Sequence, residues 1–191
     1  MAKTTLISAS NKGDIPKMLE CLKNGENPNT RNNRGYFALA GAVNSGNIEA
    51  VKLLLTHKAN VNMKSEYHWT PLYTALKRWE SGPIQQAWGV PRRNYLKIAK
   101  LLLTTKGLNP TTPVCGGLYS REGDTALHIA VRKRNYTLIK KILATGKAKN
   151  SLLNNDLCTV QGALRKKKNY KLACYLMING IKPLSKTFLH I

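Results

Sequence analysis

The sequence predicts an all-α solenoid of about five helix–turn–helix repeats joined by short β-hairpin-like loops. Three observations carry that expectation. Leucines recur at intervals of 33 residues, at Leu6, Leu39 and Leu72, and the same interval separates Leu127 from Val160. Self-similarity at a fixed period of this size marks a stacked array of supersecondary units. Ile48, Val51, Leu54 and Leu55 then follow the i, i+3, i+6, i+7 spacing that lays apolar side chains along one helix face. Finally, Gly13 and Gly46 fall between paired helices, and Gly25, Gly146 and Gly180 fall just past second helices. A left-handed residue ends a helix at little cost in those places. Helices this short are marginal in water alone, so stacking of one pair on the next must supply the burial.

The units follow in order. The first spans residues 1–31, with Leu6, Ala9, Gly13 and Leu22 at the repeating positions. The second, 32–64, is the fullest copy. The third, 65–112, opens on Thr70, suited to cap a helix, and Pro71, whose missing N–H is harmless in a first turn. Its second helix, Tyr95 to Leu103, arrives 15 residues late, which marks an insertion over 79–93. Within it, Gly82, Pro83, Gly89 and Pro91 discourage continuous helix, while Trp79, Ile84, Trp88 and Val90 offer apolar surface. The fourth unit, 113–150, is anchored on Leu127 and capped by Thr125. The fifth, 151–184, centres on Val160, and 185–191 is a C-terminal extension. Arg134 and Lys167 stand where earlier units have their inter-helix glycine, a departure at the turn rather than in the fold. The whole of 1–191 is expected to form a single domain.

The second unit reads Gly35-Tyr-Phe-Ala-Leu-Ala-Gly-Ala-Val-Asn-Ser-Gly46-Asn-Ile-Glu-Ala-Val-Lys-Leu-Leu-Leu55, closing with Ala59-Asn-Val-Asn62. Another copy keeps Thr70-Pro71-Leu72 and Ala75, and another reads Gly123-Asp-Thr-Ala-Leu-His128-Ile-Ala-Val131. In these motifs the chain resembles the ankyrin repeat family over nearly its whole length. That resemblance implies a protein-binding array without catalysis or cofactor, in which His128 bonds backbone groups at a helix start. It also implies a ligand-facing side built from hairpin tips and first-helix ends. Asn62 takes the place of the asparagine that host hydroxylases modify in such repeats.

Charge says what that side should bind. Lys and Arg number 31 against 9 Asp and Glu, for a formal +22. The excess is polarised: residues 1–64 carry +5 and residues 125–191 carry +13. The two positions at the end of each first helix are Asn11-Lys12, Asn44-Ser45, Lys77-Arg78, Arg132-Lys133 and Arg165-Lys166. Three units therefore repeat a cation pair in phase, which stacking would align into a basic strip. By the same alignment the hairpin tips contribute Arg34, Tyr36, Tyr67, Trp69 and Arg121, and the insertion contributes Trp88. Aromatic and arginine side chains together suit an interface anchor. The expected partner is a protein with an acidic surface. The alternative is nucleic acid or anionic membrane lipid on the same strip.

Other classes find no support. The chain has no nucleophile elbow, phosphate loop or H-E-x-x-H motif, and His57, His68 and His190 share no metal-ligand spacing. Cys21, Cys115, Cys158 and Cys174 form no CxxC pair and are expected as buried thiols of an intracellular, cytoplasmic chain. No apolar run is long enough to cross a bilayer. A monomer is expected. Arg165-Lys-Lys-Lys168 also permits nuclear import. The 22 Lys, 9 Arg and 18 Asn are similar to the composition of ankyrin proteins that intracellular bacteria export into eukaryotic hosts.

Overall fold

A computed structural model describes residues 5–66, 68–81, 90–114 and 123–147. The fifth unit and the C-terminal extension lie outside the described residues. The chain divides into two compact units, Met1–Leu108 and Asn109–Ile191. The first holds α1 (Leu6–Lys12), α2 (Ile15–Lys23), α3 (Ala38–Asn44), α4 (Ile48–Thr56), α5 (Pro71–Glu80) and α6 (Arg92–Leu103). The second holds α7 (Ala126–Arg132) and α8 (Tyr136–Ala144). Among the described residues no helix is long and apolar enough to cross a membrane.

Within the first unit the helices form two rows. First helices stack α1 on α3 on α5, second helices stack α2 on α4 on α6, and each first helix packs on its own second helix. The 33-residue leucines are the core of the first row, with Leu6, Leu39 and Leu72 all buried; Met18, Val51, Leu54, Ile98 and Leu102 fill the second. Leu127, Ala130, Ile139 and Ile142 build the equivalent core between α7 and α8.

Caps explain where the helices begin. Thr5 and Thr70 accept bonds from the N–H groups of Ser8 and Tyr73. Asp14, Asn47 and Asn135 do the same for the second helices through Lys17, Ala50 and Leu138. The asparagines also tie one repeat to the next. Asn47 Nδ2 donates to the Gly13 carbonyl at 3.0 Å, and Asn94 Nδ2 to the Gly46 carbonyl at 3.3 Å. On the opposite side of the turn, Asn29 accepts from the Asn60 N–H at 2.7 Å, and Asn62 Nδ2 donates to the Gly107 carbonyl at 2.9 Å. Each such bond satisfies a backbone group that a short helix or loop leaves open.

The insertion is shorter than the spacing suggests. Helix α5 continues to Glu80 and α6 begins at Arg92, so each flanking helix takes an extra turn. The Arg92 guanidinium donates to the Ser81 carbonyl and pins the two ends of the excursion together. Val90 then packs against Gly46, leaving no room there for a side chain. At Arg134 the turn keeps the form of its glycine counterparts: φ is +50° against +69° at Gly13 and +63° at Gly46. The Arg134 N–H donates to the Val131 carbonyl as the Gly46 N–H does to Val43. The arginine bears a left-handed conformation costing about 1–2 kcal/mol for a residue with a Cβ.

Candidate functional site

The hairpin tip of the second repeat is built by one side chain. Asn32 Oδ1 accepts from the N–H groups of Arg34 and Tyr36, both at 3.0 Å, and Arg31 pairs with Phe37 across the tip. Phe37 is buried beneath the Arg31 guanidinium, 5.3 Å from the ring centroid. With Phe37 buried, the preceding Tyr36 points outward and is 49% exposed, and Arg34 at the tip is exposed. The next tip repeats the scheme one period later. Ser65 replaces Asn32 as acceptor for Trp69, and His68 takes the left-handed place of Gly35 with φ +56°. Trp69 is half-buried and meets Tyr73 edge-on at 5.4 Å. Tyr67, Trp88 and Arg121 lie outside the described residues.

The first-helix ends meet across repeats. Arg78 Nε donates to Asn44 Oδ1 at 3.3 Å, and the Tyr95 hydroxyl donates to the Asn44 carbonyl at 3.1 Å. Burial pushes the Tyr95 phenol above its ordinary value, with the Arg78 charge pulling the other way. The Asn11 side chain lies against Gly41 of the next helix, and Lys12 beside it is exposed.

Of the four strip cations among the described residues, Lys77, Arg78, Arg132 and Lys133, two pair with carboxylates of the chain. Lys77 pairs with Glu80 at 3.2 Å, with side chains only 21% and 16% exposed. In the second unit Arg132 grips Asp124 with both nitrogens, at 3.0 and 2.8 Å, and that carboxylate is 4% exposed. The fork joins the hairpin before α7 to the far end of the same helix, two turns away. Lys133, next to it, is exposed. His128, also buried, accepts the Thr125 N–H at 2.8 Å in a reciprocal cap. Arg165 and Lys166 lie outside the described residues. Asn62 is half-buried and held by its bond to Gly107. Sequence reasoning missed both carboxylate partners. Their signals were present, as an i, i+3 spacing for Lys77 and Glu80 and an eight-residue spacing for Asp124 and Arg132. Among the described residues, no group of three His, Cys, Asp or Glu side chains is placed to hold a metal.

Known proteins agree with this geometry. A family model described as ankyrin repeats in three copies matches residues 6–85, and an ankyrin repeat model matches 122–155. The chain is 38% identical over 63 residues to the ankyrin repeat protein FPV222 of Fowlpox virus (strain NVSL), a stretch covering 33% of this chain and 8% of that protein. It is 49% identical over 41 residues to protein phosphatase 1 regulatory subunit 27 of Homo sapiens, covering 22% of this chain and 27% of that one. The chain thus spans well under two thirds of these relatives. Among solved structures it resembles a chain of the Bd0816 predatory endopeptidase from Bdellovibrio bacteriovorus in complex with immunity protein Bd3460. The TM-score is 0.64 and the identity 21%, over 95% of this chain and 84% of that one, a likeness of fold alone. Two family models in phase with the leucine core, together spanning more than half of the sequence, establish that the chain belongs to the ankyrin repeat family.

Proposed function

We propose that this chain is a non-enzymatic interaction module whose hairpin tips and first-helix ends dock an acidic segment of a protein partner. Ankyrin repeats serve as protein–protein interaction modules, and the human relative's name, a regulatory subunit, agrees with a role exerted through binding. The observation that carries the acidic preference is the second repeat's tip: Arg34 and Tyr36 stand exposed on a loop whose backbone Asn32 holds rigid. A preorganised aromatic beside a cation loses little entropy on binding. Lys12 and Arg78 extend the same charge along the helix ends, while Lys77 and Arg132 brace the scaffold through Glu80 and Asp124. Lys133, and Arg165 with Lys166, would supply the corresponding charge farther along the chain.

Binding of a glutamate-rich peptide to the full chain, measured by calorimetry at low and moderate salt, tests the reading. Arg34→Glu with Tyr36→Ala should weaken it at least tenfold, and rising salt should weaken the native chain steeply. Unchanged affinity in that variant, with an intact circular dichroism spectrum, would refute the assignment. The lysine- and asparagine-rich composition supports a setting inside a eukaryotic host cell, to which an intracellular bacterium delivers the chain. There Asn62 would be open to hydroxylation, and mass spectrometry of protein recovered from such cells should show one added oxygen on that residue.

A further inference from the structure

The outward face of α6 presents a second cationic surface, separate from the tips. Arg93, Lys97 and Lys100 are exposed, and Tyr95, Ile98, Ala99 and Leu102 are buried. At 3.6 residues per turn the three cations fall within about 60° of arc, directly opposite the buried set. None of them meets a carboxylate among the described residues, and the sequence from 81 to 121 contains no acidic residue. The preceding second helix shows the contrast. When the buried residues of α4 and α6 are aligned, Lys97 and Lys100 fall where α4 carries Glu49 and Lys52, which neutralise each other at 3.0 Å. The carboxylate that balances α4 is a lysine in α6. Like charges one turn apart repel, so the stripe is held against local helix stability.

From these placements we propose that the α6 stripe binds the phosphate backbone of nucleic acid without reading its sequence. Arg93 and Lys100 are about 10 Å apart along the helix, the axial rise of about three nucleotide steps of a duplex strand. Among the described residues, α6 lacks what other anionic partners need. The exposed large apolar side chains among the described residues are Leu19, Tyr36 and Tyr136, none of them on α6, so the helix itself offers no wedge to enter a lipid headgroup layer. Nor does α6 itself expose an aromatic anchor beside the lysines, its one aromatic residue, Tyr95, being buried, whereas a protein interface core would favour one. Contacts from lysine and arginine to the phosphate backbone carry affinity and no base preference.

Fluorescence anisotropy of a labelled duplex of about 20 base pairs, titrated with the full chain over a series of salt concentrations, tests this. In the variant Arg93→Gln, Lys97→Gln, Lys100→Gln the slope of log affinity against log salt should flatten by about 2.7, or 0.9 for each lost contact. A control variant, Lys23→Gln, Lys58→Gln, Lys64→Gln, removes the same charge from exposed positions elsewhere and should keep the native slope. Duplexes of different sequence should bind alike. Equal weakening by the two variants, or no duplex binding by the native chain at low salt, would overturn the proposal. So would sedimentation of the native chain, but not the stripe variant, with phosphatidylserine vesicles while duplex binding is absent. The tip variant Arg34→Glu, Tyr36→Ala should retain duplex binding, which separates this surface from the peptide-binding one.

Discussion

Asp124 and Arg134 show how single residues set the tolerance of a repeat. Asp124 is buried and meets Arg132 through two charge-assisted bonds. Removing Asp124 leaves the largely buried Arg132 guanidinium without its counter-charge, so Asp124→Ala should cost about 3 kcal/mol. Urea unfolding followed by circular dichroism measures this, and a loss near zero would mean that water replaces the carboxylate freely. Arg134 carries the opposite lesson. Its backbone is held left-handed at φ +50° in a turn where the first two repeats use Gly13 and Gly46. Arg134→Gly should therefore stabilise the fold by about 0.5–1 kcal/mol, the relieved strain being partly offset by a freer unfolded chain. A destabilised Gly variant in the same denaturation would show that the arginine side chain does more than occupy the turn.

At the scale of elements, α6 is the helix on which most depends. It closes the insertion through Arg92 and Ser81, meets Asn44 through Tyr95, and faces outward with Arg93, Lys97 and Lys100. The buried Tyr95 hydroxyl prefers its proton in the folded state, since burial raises its ionisation above the ordinary tyrosine range. Its contribution is complete below the unfolded value and is lost as pH climbs through the raised folded one. Stability should consequently fall more steeply above pH of about 10 in the native chain than in Tyr95→Phe. That variant should start about 1 kcal/mol lower at neutral pH for want of the bond to Asn44. Denaturation midpoints at neutral and alkaline pH compare the two, and parallel slopes would remove Tyr95 from the account.

For the molecule as a whole, the charge balance is the dominant fact. Of the 9 acidic residues, Glu20, Glu49, Glu80 and Asp124 pair with cations of their own unit. Asp14 caps α2, and Glu26 accepts the Leu6 N–H at 2.8 Å. Carboxylates engaged in internal structure are already counted in the formal +22, an excess of like charge that makes the chain self-repelling. The thermal midpoint should rise as sodium chloride is added from low to physiological concentration and then level off as the screening length shortens. A midpoint independent of salt would show that the cations are too far apart to strain the fold.

The period of 33, the capping residues and the buried leucines were legible along the chain because a repeat repeats its burial, and burial writes itself as apolar spacing. Tip residues Arg34 and Tyr36 were legible too, since a tip's place follows from the period. What tertiary structure alone decided was which cations are available. Lys77 and Arg132 shared one register position in the sequence, beside Arg78 and Lys133 at the next, yet Glu80 and Asp124 claim them, while among the described residues no carboxylate reaches the α6 stripe. Spacing records which face a side chain takes. Only three-dimensional proximity determines whether its charge meets a partner or meets the solvent.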